Sequence, residues 1–430
     1  MDRYEDYQEV DSYWYNQVPS YWEKTKNKYV FCQEKYVVGE DWENFTLLTM
    51  GKSGVKPRDM DGGGKFPASF ENYQTVEPNQ LIFCLFDLDE TPRTIGMSKD
   101  YGMITSAYDV FSTTEGNDPQ FWTYFYQMID DHKGLRPFYT GLRKVVRSET
   151  FMGIEVFSPP LDEQKLISRY LDKKTEQIHS LIEKIKKKIE LLKEQRTSLI
   201  NQCVTKGLDP NVEMKDSGVE WIGEIPKHWD NVKITYLIDV RDGTHDTPSY
   251  VDEEGIPLVT QKDIYGGVLD FSKTKKISSY DHEQISKRSK VNKNDIIMSM
   301  IGSIGYPTVV DTDKEFSIKN VCLFRTSVSD QNPYFVKYCL ESSSITEQLE
   351  LNKGGGVQSF VSLDTLRNLR VLIPEPEEQE TIVRYLSKKL GRIDQLINKE
   401  SRRVDLLTEY HQSLISSVVT GKVRVTEDMI

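Results

Sequence analysis

A segment of 47 residues occurs twice in this 430-residue chain, and this duplication restricts the possible folds more than any other feature. Residues 159–205 align with residues 374–420 without a gap at an offset of 215, and about 21 of the 47 pairs are identical. Unrelated segments of ordinary composition agree at about one position in seventeen. Because the offset is much longer than the repeat of a solenoid, the sequence predicts two copies of a whole domain, each followed by a helix.

Weaker matches follow in the same order through the rest of the chain. They pair Trp14 and Val18–Trp22 with Trp221 and Ile225–Trp229, Glu77–Phe83 with Lys293–Met298, Asp118-Pro119 with Asn332-Pro333, and Phe151–Pro159 with Leu366–Pro374. We therefore predict a mixed domain over residues 1–158, a long helix over 159–207, a second mixed domain over 208–373 and a second long helix over 374–424.

Both duplicated segments carry apolar residues at alternating steps of three and four, which is typical of a coiled-coil seam. The predicted seam residues are Leu171, Ile178, Ile182, Ile185, Ile189, Leu192 and Leu199 in the first helix and Leu386, Ile393, Ile397, Val404, Leu407, Leu414 and Val418 in the second. A polar residue interrupts each seam at the same place, Arg196 and His411, and either fixes the register or occupies a solvated slot. Gly207 and Gly421 are predicted to end the helices.

Connectivity restricts how these helices pair within one chain. The first helix ends where the second mixed domain begins, so paired seams must run antiparallel, with the two domains related by a pseudo-twofold axis. Short β-rich runs separated by Gly- and Asp-rich turns fill both domains, with helices predicted near residues 119–131 and 333–350. The predicted fold class is α+β: two β-rich domains and an antiparallel coiled coil of two long helices.

Basic residues concentrate in the predicted loops of both mixed domains, often beside glutamine, asparagine or aromatic residues, as contact with nucleic acid requires. The candidates are Lys52, Lys56, Arg58, Lys65, Arg93, Arg143 and Lys144 in the first domain and Lys262, Lys273, Lys275, Lys276, Lys287, Arg288, Lys290, Lys353 and Gln358 in the second. A charge run is also typical of an ordinary solvated face, and this alternative stays open for each residue.

Composition excludes several classes of protein. The net charge of −12 argues against coating nucleic acid by charge alone, although local basic surfaces remain compatible with it. The five cysteines are scattered and form no metal-ligand spacing, and no apolar run reaches the roughly 18 residues of a membrane helix. The acidic, polar start of the chain is unlike a signal peptide. We expect a reducing, cytoplasmic setting.

No catalytic motif is complete in the sequence. The GKS string at Gly51–Ser53 lacks the first glycine of a phosphate loop, because Thr46 stands where that glycine is required. Asn332-Pro333-Tyr334 lacks the second proline of an adenine methyltransferase tetrad and is predicted instead to start a helix. His245 beside Asp242 and Asp246 is the nearest approach to a catalytic group, and we expect neither catalysis nor metal binding in this chain.

The strings SGVEWIGEIPKHW (Ser217–Trp229), PPLDEQKLISRYLDKKTEQI (Pro159–Ile178) and PEPEEQETIVRYLSKKLGRID (Pro374–Asp394) closely resemble the specificity subunits of type I restriction–modification systems. The resemblance implies that each mixed domain is a target recognition domain reading one half of a bipartite, asymmetric DNA sequence. It also implies two adenine-N6 methyltransferase subunits and two ATP-dependent motor-nuclease subunits as partners in antiphage defence. Those partners would hold S-adenosylmethionine, ATP and Mg²⁺, and this chain none of them.

Three alternatives compete with this interpretation. A self-contained modification enzyme would need the missing catalytic motifs. A coiled-coil scaffold that binds only protein would need the helices but not the β-rich domains. A specificity subunit of a methylation-only system would share every feature of this sequence, without a nuclease partner.

Overall fold

The structure is a computed structural model that describes residues 3–51, 54–59, 69–142, 144–219, 222–252, 254–301, 305–351 and 360–430. The chain forms two compact units. Unit 1 comprises Met1–Lys186 and Arg402–Ile430, and unit 2 comprises Lys187–Ser401. The predicted site residues Lys52, Lys65, Arg143, Lys353 and Gln358 lie outside the described residues.

Short strands and three short helices precede the first long helix. The strands are β1 (Tyr7–Glu9), β2 (Gln17–Pro19), β3 (Glu23–Lys26), β4 (Phe31–Glu34), β5 (Leu48–Gly51), β6 (Gly54–Pro57), β7 (Gln74–Val76), β8 (Leu81–Phe83), β9 (Ile95–Met97), β10 (Gly102–Ile104), β11 (Asp109–Thr113) and β12 (Glu155–Ser158). The helices are α1 (Asn27–Val30), α2 (Pro119–Asp131), α3 (Ser148–Gly153) and the long α4 (Leu161–Lys206).

The second half repeats this order. Its strands are β13 (Met214–Asp216), β14 (Glu224–Pro226), β15 (Asp230–Lys233), β16 (Asp239–Asp242), β17 (Tyr250–Val251), β18 (Ile256–Val259), β19 (Ile264–Tyr265), β20 (Val268–Leu269), β21 (Lys276–Ile277), β22 (Ile296–Ser299), β23 (Gly305–Val309), β24 (Ser317–Ile318), β25 (Val321–Arg325) and β26 (Arg370–Ile373). Its helices are α5 (Ser279–Ser289), α6 (Pro333–Glu341), α7 (Ser343–Leu351), α8 (Leu363–Arg367) and the long α9 (Pro376–Val419).

The duplication is visible in the central sheets. Unit 1 has the antiparallel order β4-β11-β8-β9, and unit 2 has the matching order β16-β25-β22-β23. Asn79 and Asn294, which are 215 positions apart, both precede the third strand of their sheet with a φ of 70°. Asparagine tolerates this left-handed conformation better than most residues, so the same turn starts the same strand twice.

Hydrophobic clusters cover both faces of each central sheet. Successive side chains of a strand point to opposite sides, so neighbouring residues of one strand belong to different clusters. In unit 1, Phe83 and Phe111 join the large aromatic core with α2 and the long helices, whereas Ile82 and Val110 join a smaller cluster on the other face. In unit 2, Met298, Cys322 and Phe324 face the long helices, whereas Ile297 and Leu323 face a separate cluster with Val259 and Ile318. The helical face and the outer face of each sheet are therefore distinct surfaces.

The long helices pair in an antiparallel sense within each unit. In unit 2, Lys188 contacts Glu400 and Arg196 contacts Asp394, so partner numbers fall as helix numbers rise. Every seam residue predicted from the sequence is buried or half-buried. Gly207 and Gly421 follow the helix ends with φ of 70° and 71°, as predicted for helix-terminating glycines. The α+β fold class with two β-rich domains and two long helices is confirmed.

Two buried glutamines anchor the starts of the long helices. The Gln164 amide accepts from the Asp118 N–H at 2.8 Å and donates to the Pro159 carbonyl at 2.9 Å. Gln379, 215 positions later, accepts from the Asn332 N–H at 3.0 Å and donates to the Pro374 carbonyl at 3.0 Å. Asp118 and Asn332 cap α2 and α6, each followed by proline, so one side chain joins two helix starts in both units.

The structure corrects one helix prediction. The single helix expected over residues 333–350 is two helices, α6 and α7, because Ser342 leaves the helical conformation with ψ of 154° and its hydroxyl donates to the Cys339 carbonyl. None of the described helices is long and apolar enough to cross a membrane.

Candidate nucleic-acid interface

A basic concavity of about 460 Å³ lies on the outer part of unit 2, away from the long helices. Its lining includes four lysines, which are Lys262, Lys273, Lys275 and Lys319. Tyr250, Gln261 and Asn320 line it as well, so charged groups stand beside side chains that can hydrogen-bond or stack. We call this surface the lysine concavity.

A small mixed sheet, with the order β17-β21-β18-β24, assembles the lysine concavity. Strand β18 pairs with β24 in parallel, and the Lys319 N–H donates to the Val259 carbonyl at 2.9 Å. This pairing brings Lys319 beside lysines that are far from it in sequence. The Lys275 ammonium lies 4.1 Å from the ring centroid of Tyr250, a distance at which a cation is attracted to an aromatic face.

The charge of the lysine concavity is largely uncompensated. Its acidic lining residue, Asp263, caps a short helical turn: its carboxylate accepts from the Thr260 N–H and hydroxyl, both at 2.8 Å. Across the part of the chain that the structure describes, none of the four lysines forms an ion pair. Four ammonium groups facing one cavity favour a polyanionic ligand.

A loop beside the lysine concavity holds a second cluster of polar groups. Gly243 lies so close to the backbone of β24 that an added Cβ would be 2.3 Å from the Ile318 carbonyl oxygen. The Thr244 N–H donates to the same carbonyl at 3.0 Å, and the Asn320 N–H donates to the Thr244 carbonyl at 3.2 Å. These contacts fix His245 next to Lys319 and Asn320. The His245 ring nitrogens lie 2.8 Å from an Asp242 oxygen and 3.0 Å from the Asn320 amide oxygen.

The other basic candidates of unit 2 lie outside the lysine concavity. Lys276 lies in β21, and Lys287 and Arg288 lie on α5 rather than in a loop. Arg288 contacts the Asp242 carboxylate, and Lys293 pairs with Asp313 at 3.1 Å. Lys290 follows α5 and is exposed. The folded chain thus divides the basic run of residues 273–293 among three surfaces.

The described candidates of unit 1 stand on three separate segments of the chain. Lys56 lies in β6 and Arg58 just after it, both exposed. Arg93 contacts Asp130 at 3.3 Å and Asp131 at 2.8 Å, with only 22% of its side chain exposed. These carboxylates hold Arg93 against the end of α2, so it serves packing within the unit.

Lys144 is likewise committed to an internal contact. Its ammonium lies 2.9 Å from Asp89, which also accepts from Arg136 at 3.1 Å. The two cations, Lys144 first, lower the pKa of the Asp89 carboxyl to about 2. Asp89 therefore offsets the positive charge of Lys144.

Sequence reasoning missed Tyr250, Gln261, Lys319 and Asn320 as members of the site. Lys319 stands between the short strand β24 and Asn320, outside any dense run of basic residues. Only the parallel pairing of β18 with β24 brings it to the cavity. Among the described residues, no cluster of three or more potential metal ligands is present.

The profile of the type I restriction modification DNA specificity domain matches residues 226–405. The family resemblance predicted from the sequence is confirmed. The matched segment contains the whole lysine concavity, the His245 loop and the first part of α9.

Curated relatives extend the similarity beyond the specificity domain. The chain is 25% identical over 288 residues to the MjaVIII specificity subunit of Methanocaldococcus jannaschii, covering 65% of this chain and 64% of that one. It is 27% identical over 294 residues to the EcoBI specificity subunit of Escherichia coli, covering 65% and 60%. The match thus spans less than two thirds of the length of these relatives.

Solved structures share the fold over nearly the whole chain. A chain from a study of complex assembly and conformational transition of the type I R-M system superposes with a TM-score of 0.69, at 14% identity, over 94% of this chain and 99% of that one. The HsdS subunit from Thermoanaerobacter tengcongensis superposes with a TM-score of 0.50 at 16% identity, over 94% and 98%. The architecture around the specificity domain is therefore that of these proteins.

Proposed function

We propose that this chain is the DNA-sequence-reading subunit of a type I restriction–modification complex and catalyses no reaction itself. The observation that carries the proposal is the lysine concavity within the specificity domain. Its four lysines stand beside an aromatic ring and two amide side chains, Gln261 and Asn320, in one surface. Lysines neutralise phosphates, and amide side chains can pair with base edges, so this surface suits a polyanion that carries sequence information.

The net charge of the whole chain restricts where DNA can bind. At −12, the chain as a whole repels a polyanion, so contact with DNA must be confined to surfaces where positive charge is concentrated. We expect the assembled complex to bind its target much more tightly than this chain alone, because partner subunits would add phosphate contacts.

The partners and domain division follow from the same proposal. The domains over residues 1–158 and 208–373 would each read half of a bipartite target, and the helices over 159–207 and 374–424 would receive two adenine-N6 methyltransferase subunits. Two ATP-dependent motor-nuclease subunits would complete a cytoplasmic restriction complex. S-adenosylmethionine, ATP and Mg²⁺ would be bound by those partners.

The first test removes charge from the lysine concavity. Mapping methylated adenines in the source genome defines the target duplex, and binding is then followed by fluorescence anisotropy across a salt series. Changing Lys273, Lys275 and Lys319 to Gln should reduce the slope of log K against log salt by about 0.9 for each phosphate that is no longer neutralised. The matched control changes Lys215, Lys227 and Lys233 to Gln, which removes the same charge from another part of unit 2. Equal slopes in the two triple variants would contradict the proposed interface.

The second test concerns catalysis. The purified chain, supplied with S-adenosylmethionine, ATP, Mg²⁺ and target duplex, should neither methylate nor cleave DNA, nor hydrolyse ATP. Radiolabelled methyl transfer and phosphate release measure this directly. Methyl transfer by the pure chain would favour a self-contained enzyme, and failure of the reconstituted complex to bind any duplex would favour a scaffold.

A further inference from the structure

His245 is held from two sides at the edge of the lysine concavity while its side chain remains 55% exposed. Its Nε2 lies 2.8 Å from an oxygen of Asp242, a residue that is itself buried. Its Nδ1 lies 3.0 Å from the side-chain oxygen of Asn320, which lines the lysine concavity. A histidine oriented this firmly, yet open to solvent, suits contact with a ligand better than core packing.

Oxygen atoms face both ring nitrogens, and this geometry selects one protonation state. A carboxylate and an amide oxygen accept hydrogen bonds and cannot donate them. The imidazole satisfies both only when each nitrogen carries a proton, which makes it a cation. The hydrogen bond to Asn320, followed by that to Asp242, accordingly raises the pKa of His245 above its ordinary 6.5.

Protonation of His245 reduces the negative charge on its side of the lysine concavity, where, among the described residues, Arg288 alone stands against three carboxylates. Asp242 also accepts from Arg288 on α5, so two cations share one buried carboxylate. Asp246 stands in the same loop, and Asp281 lines the adjoining cavity, where its carboxylate accepts from the Ser278 hydroxyl at 2.8 Å.

Lys319 approaches this loop from the other side. Its ammonium donates to the Thr247 hydroxyl, two residues after His245. The protonated ring is therefore continuous with the positive lining of the lysine concavity, and its deprotonation removes one charge from that surface.

We propose that the positive charge of protonated His245, whose two N–H groups are held by Asp242 and Asn320, attracts a phosphate of bound DNA, so that DNA binding through unit 2 weakens as pH rises. The inference rests on the proposed function and adds pH as a variable that regulates binding at the same site. The sign follows from the raised pKa: the ring is charged at low pH and loses its charge as pH rises through a value above 6.5.

The test measures the Kd of the full-length chain for a fluorescent random-sequence duplex of about 60 base pairs, at low constant ionic strength, from about pH 6 to pH 8.5. A random duplex suffices because phosphate contacts are independent of sequence. Removal of one phosphate interaction should raise the wild-type Kd roughly five- to tenfold across this range. His245→Gln should bind at every pH as the wild type binds at high pH, and His245→Lys should retain the tighter binding at high pH.

His228→Gln is the matched control, because His228 also contacts a carboxylate, Glu378 at 2.8 Å, but stands apart from the lysine concavity. It should follow the wild type at every pH. Ring-resonance NMR titration of the histidines, assigned by the missing His245 signal in His245→Gln, should give a pKa above 6.5. An unchanged pH dependence in His245→Gln, or a pKa at or below this ordinary value, would overturn the inference. If only the complex reconstituted with methyltransferase subunits binds, the same pH series is measured on that complex, and absence of binding by both the chain and the complex would instead overturn the proposed function.

Discussion

At the scale of single residues, Gln164 and Gln379 show how the duplication preserves an interaction rather than only a pattern. Each is buried, and each joins the first turn of a long helix to the capping residue of a shorter one. Both helix starts leave backbone N–H groups without partners inside the helix. A glutamine amide is suited to this position because it accepts and donates at once.

We expect Gln379→Leu to destabilise unit 2. The substitution would leave the Asn332 N–H and the Pro374 carbonyl without the amide, and a buried polar group that loses its partner costs about 1–3 kcal/mol. Urea unfolding followed by tryptophan fluorescence measures the change in the free energy of unfolding. Gln395→Leu on the exposed side of α9 is the control and should change stability by less than about 0.5 kcal/mol. Equal stability of the two variants would show that water replaces the amide.

At the scale of helices, the same two positions between the long helices hold an ion pair in one unit and two histidines in the other. In unit 2, Arg196 and Asp394 form an ion pair at 3.2 Å. The equivalent positions in unit 1, at the offset of 215, are His411 and His179, whose ring centroids lie 5.1 Å apart. His411 also hydrogen-bonds Thr175 at 2.9 Å. Burial, and then the nearby His179 and Arg93, lower the pKa of His411 to about 4.

The helix pairing of unit 1 should therefore weaken in acid. A histidine whose pKa is lowered on folding binds more protons when unfolded, so its neutral form is favoured in the fold. The contribution of His411 to the free energy of unfolding is fully present above pH 6.5 and falls as pH decreases from 6.5 to about 4. The double variant His179→Asp with His411→Arg, which installs the pair of unit 2, should lose less stability between about pH 7 and pH 5. Hydrogen exchange of the α4 and α9 segments in unit 1 measures this, and equal pH dependence in both proteins would contradict it.

At the scale of the whole molecule, unit 1 is built from both ends of the sequence. Leu414, Ile415, Val418 and Val419 join the core that contains Trp22, although almost 400 residues separate them along the chain. The Tyr7 hydroxyl donates to the Gly421 carbonyl at 3.1 Å. Unit 2, by contrast, is one continuous segment.

Removing residues 402–430 should therefore unfold unit 1 and spare unit 2. Four buried aliphatic side chains contribute about 1.5–3 kcal/mol each, which together approaches the whole stability of a typical domain. Hydrogen exchange should accelerate in β8 and β11 and remain slow in β22 and β25. Removal of Glu427–Ile430 alone is the control and should leave β8 and β11 protected. Retained protection of unit 1 in the longer deletion would show that it folds without its C-terminal segment.

Local signals in the sequence were sufficient for α2, α4 and α9 and for the repeated architecture. The ends of α4 and α9 depend on glycines in a left-handed conformation, and α2 depends on an Asp-Pro cap, all of which act within a few residues. The offset of 215 predicted two equivalent mixed domains, and the central sheets of the two units have the same strand order. The family resemblance followed from these same repeated segments.

The tertiary structure alone decided which basic residues share a surface. Lys262, Lys273, Lys275 and Lys319 meet because β18 pairs in parallel with β24, a contact between residues that are distant in sequence. Arg93 and Arg288 have carboxylate partners, Asp130 and Asp242, that lie 37 and 46 positions away. The residues that start and end a helix act on backbone groups a few positions away, so they can be recognised in the sequence. The charge of a binding surface depends on residues that are distant in sequence and come together only through long-range strand pairing.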